Sequence, residues 1–236
     1  MRAIKFVLKG KTAFFKVPKV NEYCYFTYGN IHKPALLGMF GAILGYGGYA
    51  AQKESDDYPQ YYNQLKQLHL SVVPESKNGY FYKKIQSFNN SVGYASLEQG
   101  GNLIVNQQWI ENPQWTVYIL LEDEESEMLA SMLKEKRCVY IPYLGTNDHP
   151  AVIEEVEEVE LKRTEKQEIK IHSLGLSEDF VFDLEEMSFK YEEYLPVSLN
   201  QDTNGHELKK FILTDAPVEE AYTDIYTDGV RNLAFY

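Results

Sequence analysis

Apolar and charged side chains alternate at the start of the chain, which predicts that it opens with a β-strand. Ile4, Phe6 and Leu8 fall on one face of this segment, with lysines between them. This period of two is typical of a strand with one buried face. After a basic and aromatic loop, Pro34 stands where the first turn of a helix accepts proline. The pattern therefore predicts a strand over residues 3 to 10 and a helix from Pro34.

The predicted helix has one bulky face and one nearly bare face. Residues 34 to 50 contain no charged side chain and five glycines. At about 3.6 residues per turn, one face carries Leu36, Phe40, Ile43 and Leu44. The opposite face carries Gly38, Gly41, Ala42 and Gly45. Such a face lets another backbone, of protein or ligand, come close.

Two other interpretations of this stretch fail. A membrane span needs about 20 apolar residues, and this run is shorter and ends in the turn-like sequence GYGG, which includes Gly47 and Gly48. A phosphate-binding loop follows a strand and carries a Lys-Ser or Lys-Thr pair, and neither feature is present here. A helix that admits close approach is the interpretation that remains.

The order of the remaining elements predicts an α+β fold. The pattern indicates a helix from Pro59, then a strand over 70–73, a long hairpin over 75–112, a strand over 114–121, a helix over 122–137 and a strand over 138–142. Strand, helix, strand, strand, helix, strand is the ferredoxin-like (RRM-like) βαββαβ arrangement. We therefore predict a ferredoxin-like domain over 1–142, with the hairpin inserted as a thumb, and an acidic β-rich C-terminal region over 143–236. The segment VIEEVEEVEL within that region fits neither a helix nor a strand period well.

Composition supports a globular protein with a real core. The 236 residues are 44% hydrophobic and 14% aromatic. The first ten residues contain no continuous apolar run of the kind a signal peptide needs. Cys24 and Cys138 stand alone, without metal-ligand spacing, so neither a disulfide framework nor a zinc site is expected. These observations favour the cytoplasm and no membrane association.

Charge is distributed unevenly along the sequence. The net charge of −12 argues against a polyanion as partner, because such binding depends on Lys and Arg. Residues 1 to 50, however, hold seven of the 23 basic residues and only one of the 35 acidic residues. We therefore expect a basic N-terminal surface with an anionic partner and an acidic surface elsewhere.

The sequence carries no recognisable catalytic or metal-binding motif. The five histidines lie in separate segments, without the paired spacing of a metal site and without a nucleophile motif. His149 lies in the shaped turn YLGTNDHPA, for which a packing role is the favoured interpretation. No cofactor and no metal are expected.

Two segments have the composition of a site for single-stranded nucleic acid. Such sites combine basic side chains along the backbone with aromatic rings under the bases. Residues 9–33 and the sequence YFYKK at 80–84 have this composition. Together with the glycine helix they define the predicted RNA-binding residues: Lys9, Lys11, Lys16, Lys19, Tyr25, Tyr28, Asn30, His32, Lys33, Gly38, Gly41, Gly45, Gly47, Gly48, Tyr80, Tyr82, Lys83 and Lys84.

The stretch TYGNIHKPALLGMFGAILG, the inserted hairpin and the YLGTNDHPA turn resemble the Cas five family. These are the repeat-associated RNA-binding subunits of type I CRISPR effector complexes, and the type I-B branch is the most similar. The resemblance implies a noncatalytic subunit that holds the 5′ handle of the guide (crRNA), with the hairpin between the handle and the first spacer bases. It also implies contacts with a backbone subunit of the Cas seven type and a large subunit of the Cas eight type, and with target DNA only through the complex.

Two alternatives to a noncatalytic RNA-binding subunit remain open at this point. The type I-C branch of the same family cleaves precursor RNA with a Tyr, Lys and His set, and Tyr28, His32 and Lys33 are the nearest grouping by residue type. The first alternative is therefore a metal-independent endoribonuclease on the same scaffold, and the second is an acidic module that binds other proteins. The sequence favours the noncatalytic subunit over both.

Overall fold

The computed structural model describes residues 1–18, 23–94, 97–164, 169–183 and 185–236. Within these ranges the fold is mixed α+β, with many strands and few helices. The helices are α1 (Lys33–Leu44), α2 (Gln60–Leu65) and α3 (Glu124–Lys134). The strands are β1 (Arg2–Lys9), β2 (Thr12–Ala13), β3 (Leu70–Pro74), β4 (Lys83–Asn89), β5 (Ile104–Glu111), β6 (Gln114–Leu120), β7 (Val152–Glu160), β8 (Lys162–Arg163), β9 (Gly175–Leu176), β10 (Phe180–Phe182), β11 (Lys190–Leu199), β12 (His206–Thr214), β13 (Val218–Ala221), β14 (Ile225–Thr227) and β15 (Asn232–Ala234).

A four-stranded antiparallel sheet with the order β3, β6, β1, β7 forms the centre of the fold. The predicted first strand is confirmed as β1, whose Ile4, Phe6 and Leu8 side chains are fully buried. Along the chain, α1 and α2 lie between β1 and β3, and α3 lies between β6 and β7. The apolar face of β1 thus anchors the core on which the helices pack.

Helix α1 begins and ends where its sequence signals predict. The His32 side chain caps the first turn by accepting the Ala35 N–H at 3.3 Å, and Pro34 occupies that turn. Gly45 ends the helix in the left-handed conformation with φ of 84°, which glycine adopts without steric cost. The predicted bulky face points inward, and the Phe40 ring meets the Phe6 ring edge to face at 6.2 Å.

The glycine face of α1 is covered by the chain itself. The predicted close approach is confirmed, but Gly38, Gly41 and Gly45 are not open to RNA. The Tyr61 ring, at the start of α2, lies over Gly38 and Gly41. Gly45 packs against Val139, and a Cβ built on Gly45 would lie 2.9 Å from a Val139 methyl group. The glycines therefore allow α2 and the segment after α3 to approach α1 closely.

Residues 138–142 do not form the predicted strand. They run over the C-terminal end of α1, where Val139 and Tyr140 donate backbone N–H bonds to the carbonyls of Ile43 and Ala42, at 3.0 Å each. The last carbonyls of a helix lack partners within the helix, so this contact satisfies them. The fourth strand of the sheet is β7, which the sequence analysis had placed in the C-terminal region and left ambiguous.

The segment inserted between β3 and β6 forms an antiparallel hairpin of β4 and β5, with β2 added beside β5. Both strands lie within the hairpin predicted over 75–112, which is thereby confirmed. Beyond β7, the strands β11, β12 and β9 form a further sheet. Tyr191, Leu195 and Phe211 of this sheet join the same core as Phe6 and Phe40. Strand β11 thus packs against α1 and shares its core.

Two further observations concern the described residues as a whole. No helix among them is long and apolar enough to cross a bilayer. Nor do they bring three or more His, Cys, Asp or Glu side chains together in a group that could hold a metal ion.

Candidate RNA interface

Three of the N-terminal basic residues face glutamates, so strand β1 does not contribute to a basic surface. Arg2 binds Glu127 at 2.7 Å and Glu158 at 2.5 Å. Hydrogen bonds from Arg2 and Lys134 hold the pKa of Glu158 at about 2. Lys5 and Lys9 pair with Glu157 and Glu154 of β7. The uneven charge of the sequence is thus cancelled locally, where β7 lies beside β1.

Lys33, a predicted RNA-binding residue, is mostly buried. Its Nζ donates to the backbone carbonyl of Tyr236 at 3.3 Å. Burial lowers the pKa of Lys33 to about 8, because the charged ammonium loses its hydration. The Lys33 side chain therefore ties α1 to Tyr236 and is only partly exposed.

Lys11 and Lys16 remain exposed near the hairpin. The Lys16 ammonium lies 4.1 Å from the centre of the Tyr25 ring, in a cation–π contact. Lys11 has no ion-pair partner within the described ranges, and Lys19 lies outside them. Two predicted cations with exposed side chains thus lie on the segment that begins at β2.

Backbone hydrogen bonds fix the basic and aromatic loop to the hairpin. Tyr25 donates its N–H to the Asn106 carbonyl and accepts from the Gln108 N–H, both at 2.9 Å. The Asn106 side chain also donates to the Tyr23 carbonyl at 2.9 Å. The Tyr23 ring is 83% exposed. The structure therefore joins the basic and aromatic loop to strand β5 of the hairpin.

The hairpin adds further cations and rings at its base. The Nζ of Lys83 lies 3.5 Å from the Thr27 carbonyl, and Lys84 pairs with Glu111 at 3.3 Å. Tyr82 is 87% exposed. The Tyr80 ring packs edge to face on Tyr191, with ring centres 4.9 Å apart. The sequence YFYKK thus presents Tyr82 and Lys83 to solvent, while Tyr80 is partly engaged.

Asn30 is a structural residue. Its amide donates to the Gly79 carbonyl at 3.1 Å and accepts the indole N–H of Trp115 at 2.9 Å. Asn30 and Trp115 are both fully buried. The Asn30 side chain thus connects the loop before α1 to β6 and to the start of the hairpin.

Tyr28 and His32 lie in a buried cluster with His206 of β12. The His32 ring centre is 5.2 Å from both the Tyr28 and the His206 ring centres. Burial, and secondarily the neighbouring His206, lower the pKa of His32 well below its usual value. Burial also lowers the pKa of His206. His206 was missed by the sequence analysis, because no local pattern links it to a residue so distant along the chain.

Two further residues predicted to bind RNA, Gly47 and Gly48, follow the end of α1. Gly47 donates its N–H to the Gln60 side chain at 2.8 Å, and Gly48 is exposed with nothing within 4 Å of a built Cβ. Among the five predicted glycines, Gly48 is the one with open space around a built Cβ.

In the YLGTNDHPA turn, His149 is buried and its Nδ1 lies 2.6 Å from the Thr12 hydroxyl, with its ring on Trp109. His149 therefore packs the turn against the base of the hairpin.

Comparison with known proteins identifies the fold. No protein-family profile matches the chain, and no curated protein matches it in sequence. A chain of a CRISPR RNA-guided surveillance complex matches with a TM-score of 0.56 and 12% identity, over 93% of this chain and 91% of that chain. A CRISPR protein from Archaeoglobus fulgidus matches with a TM-score of 0.54 and 10% identity, over 99% and 98% of the two chains.

A third match is a chain of the type III-B Cmr-beta complex bound to cognate target RNA and AMPPnP. Its TM-score is 0.52 and its identity 9%, over 92% of this chain and 86% of that chain. All three structures align over nearly the whole chain at low identity. The likeness is therefore one of fold, and the chain has the fold of CRISPR-associated proteins.

Proposed function

We propose that the protein is a noncatalytic RNA-binding subunit of a type I CRISPR effector complex, of the I-B branch and the Cas five family. In this proposal a ferredoxin-like domain with a hairpin thumb holds the 5′ handle of the crRNA. The protein works in the cytoplasm and contacts a backbone subunit and a large subunit. It meets target DNA only through the assembled complex, in antiviral defence.

One observation carries the proposal: the basic and aromatic loop is hydrogen-bonded to the inserted hairpin. Exposed Lys11, Lys16 and Lys83 and the exposed rings of Tyr23 and Tyr82 thereby lie on two joined segments. Cations neutralise phosphates, and aromatic rings stack on unpaired bases of any identity. A fold shared with CRISPR-associated proteins adds to this support.

The burial of Tyr28, His32 and Lys33 argues for a noncatalytic role. A general acid or base must reach the reacting proton directly or through one water. Tyr28 and His32 are at most 5% exposed, and the Lys33 ammonium is bonded to the Tyr236 carbonyl. We expect a labelled repeat RNA to stay intact in the presence of the protein without metal. Cleavage that His32→Ala abolishes would favour the endoribonuclease instead.

Fluorescence anisotropy with a single-stranded RNA of about 12 nucleotides tests the RNA-binding role. The variant with Lys11→Ala and Lys16→Ala is compared with a matched control carrying Lys5→Ala and Lys9→Ala, whose lysines pair with glutamates. For two lost phosphate contacts, the slope of log affinity against log salt should fall by about 1.4 in the first variant. The control should keep the slope of the parent. Absence of RNA binding by the parent, or an equal change in the control, would overturn the proposal.

A further inference from the structure

A cleft lies at the root of the hairpin, where the chain leaves β3 for β4 and returns from β5 to β6. Residues 75–78 and 80–82 line one side, and Glu111 and Asn112 line the other. Its volume is about 540 Å³. Sites for small ligands occupy about 300 to 1,000 Å³, so this cleft has room for one nucleotide.

Tyr82 supplies the cleft with a free aromatic face. The neighbouring rings are engaged, since Phe81 packs on Trp115 and Tyr80 packs on Tyr191. The Tyr82 ring has no ring partner among the residues that the structure describes, and it is 87% exposed. An exposed tyrosine at the edge of a cleft is suited to stacking on a planar base.

Two asparagine amides in the cleft have unused hydrogen-bonding capacity. The side chains of Asn78 and Asn112 make no hydrogen bond within the described ranges, and both residues have positive φ, 58° and 45°. The backbone N–H of Asn112 donates to the Lys11 carbonyl at 2.9 Å, which holds this position beside the exposed lysine. An amide both donates and accepts, so it can match the mixed edge of a nucleobase.

The cleft can accept an anionic ligand, because the two glutamates that line it are already paired. Glu75 is occupied by the Thr116 hydroxyl at 2.5 Å and by Arg231 at 2.7 Å. Glu111 is paired with Lys84. Lys77 has no ion-pair partner in the described part of the chain and is exposed. The cation available to a ligand is therefore the Lys77 ammonium, which suits a phosphate group.

We propose that this cleft binds one nucleotide, with its base on Tyr82, the base edge at Asn78 and Asn112, and its phosphate near Lys77. The inference rests on the proposed function: the nucleotide is part of the bound RNA, and its base leaves the stack where the RNA passes the root of the hairpin. The contact between Asn112 and Lys11 makes the cleft continuous with the exposed cations that face the backbone of the RNA.

A scan with abasic RNA tests the cleft. The parent, Tyr82→Ala and Asn112→Gly are titrated with RNAs that each lack one base; glycine keeps the positive φ of residue 112 and removes only the amide. Tyr94→Ala is the matched control, because Tyr94 is 75% exposed and lies in the connection between β4 and β5. Loss of the base at one position should weaken binding by the parent and the control about tenfold, and should have little further effect on Tyr82→Ala and Asn112→Gly.

The possible results distinguish a failure of the cleft assignment from a failure of the proposed function. If the parent binds RNA and its abasic profile equals that of Tyr82→Ala, the cleft assignment is overturned and the function stands. If the parent binds no RNA, the proposed function fails and the cleft assignment fails with it. A parallel titration with the four free nucleoside monophosphates identifies the source of the nucleotide. Binding of a free monophosphate as tight as that of RNA, and lost in Tyr82→Ala, would overturn the RNA assignment in favour of a small-molecule site.

Discussion

Gly41 of α1 lies directly against Tyr61 of α2, and a Cβ built on Gly41 would lie 2.4 Å from the Tyr61 Cβ. The position of the Tyr61 Cβ is fixed by its backbone, so rotating the side chain alone cannot relieve the overlap. Gly38 differs, because a Cβ there would meet the same ring at an ordinary 3.8 Å. The two glycines therefore face one tyrosine with opposite consequences for substitution.

We predict that Gly41→Ala destabilises the protein while Gly38→Ala does not. Overpacking costs about 1 to 3 kcal/mol, which exceeds the gain of up to about 1 kcal/mol from replacing glycine in a helix. The melting temperature should fall by several degrees for Gly41→Ala and stay level or rise for Gly38→Ala. Thermal unfolding followed by circular dichroism measures both. Equal melting temperatures would show that α2 moves away from α1 without cost.

We predict that Asn30→Ala destabilises the protein strongly. The substitution leaves the buried Trp115 indole N–H and the Gly79 carbonyl without their side-chain partner. A buried polar group without a partner costs about 1 to 3 kcal/mol. Urea unfolding should show this loss in free energy of unfolding, and the exposed Asn90→Ala should change it little. Similar values for the two variants would mean that water or a rearrangement satisfies Trp115.

The buried histidine cluster predicts stability that falls as the pH falls below about 6.5. The pKa of His32 in the folded protein is below its ordinary value of 6.5, so the unfolded chain binds the proton first and acid favours unfolding. His206, His149 and His172 shift in the same direction. Glu158 and Asp215, with pKa values of about 2, contribute only at more acidic pH.

His32→Asn isolates one member of the cluster, because asparagine is a good N-cap and does not titrate. Between about pH 7 and 5, this variant should lose less stability than the parent, by up to about 1.4 kcal/mol for each pH unit. Urea unfolding at several pH values in this window measures the difference. Parallel curves for parent and variant would show that the His32 pKa is not shifted.

We predict that Lys33→Met leaves RNA affinity unchanged. The lysine ammonium is directed at the Tyr236 carbonyl and not at solvent. Methionine has a similar length and carries no charge to desolvate, so the free energy of unfolding at neutral pH should not fall by more than about 1 kcal/mol. Anisotropy with the same short RNA, beside the variant with Lys11→Ala and Lys16→Ala, makes the comparison. A salt slope reduced as much as in that variant would show that Lys33 contacts the RNA.

Local patterns predicted the elements whose signals lie within a few residues of each other. The alternation in β1, Pro34 at the start of α1 and Gly45 at its end all act over short distances. The strand predicted over 138–142 failed because its backbone groups bond to the end of α1, and strand patterning contains no information about that neighbour. The ambiguous segment 152–160 became a strand because β1 offers it a free edge.

The candidate site was less predictable, because its key contacts join distant parts of the chain. Lys9 and Glu154 form an ion pair across a separation of 145 residues, and charge counted along the sequence cannot show this. The covering of the glycine face by Tyr61 is likewise hidden in the sequence, because no local pattern links Tyr61 to the glycines of α1. The joining of the basic loop to the hairpin was likewise visible only after Tyr25 was found between Asn106 and Gln108.

The two outer strands of the central sheet differ in how they avoid pairing with another molecule. At β3, the Leu70 backbone exchanges hydrogen bonds with Tyr236, and Leu174 donates to the Val72 carbonyl, so this edge is occupied. At the opposite edge, β7 carries five glutamates within nine residues and a positive φ of 53° at Glu155. Charged side chains and a distorted backbone both oppose strand addition. Both edges of the central sheet are thereby protected from pairing with a strand of another molecule.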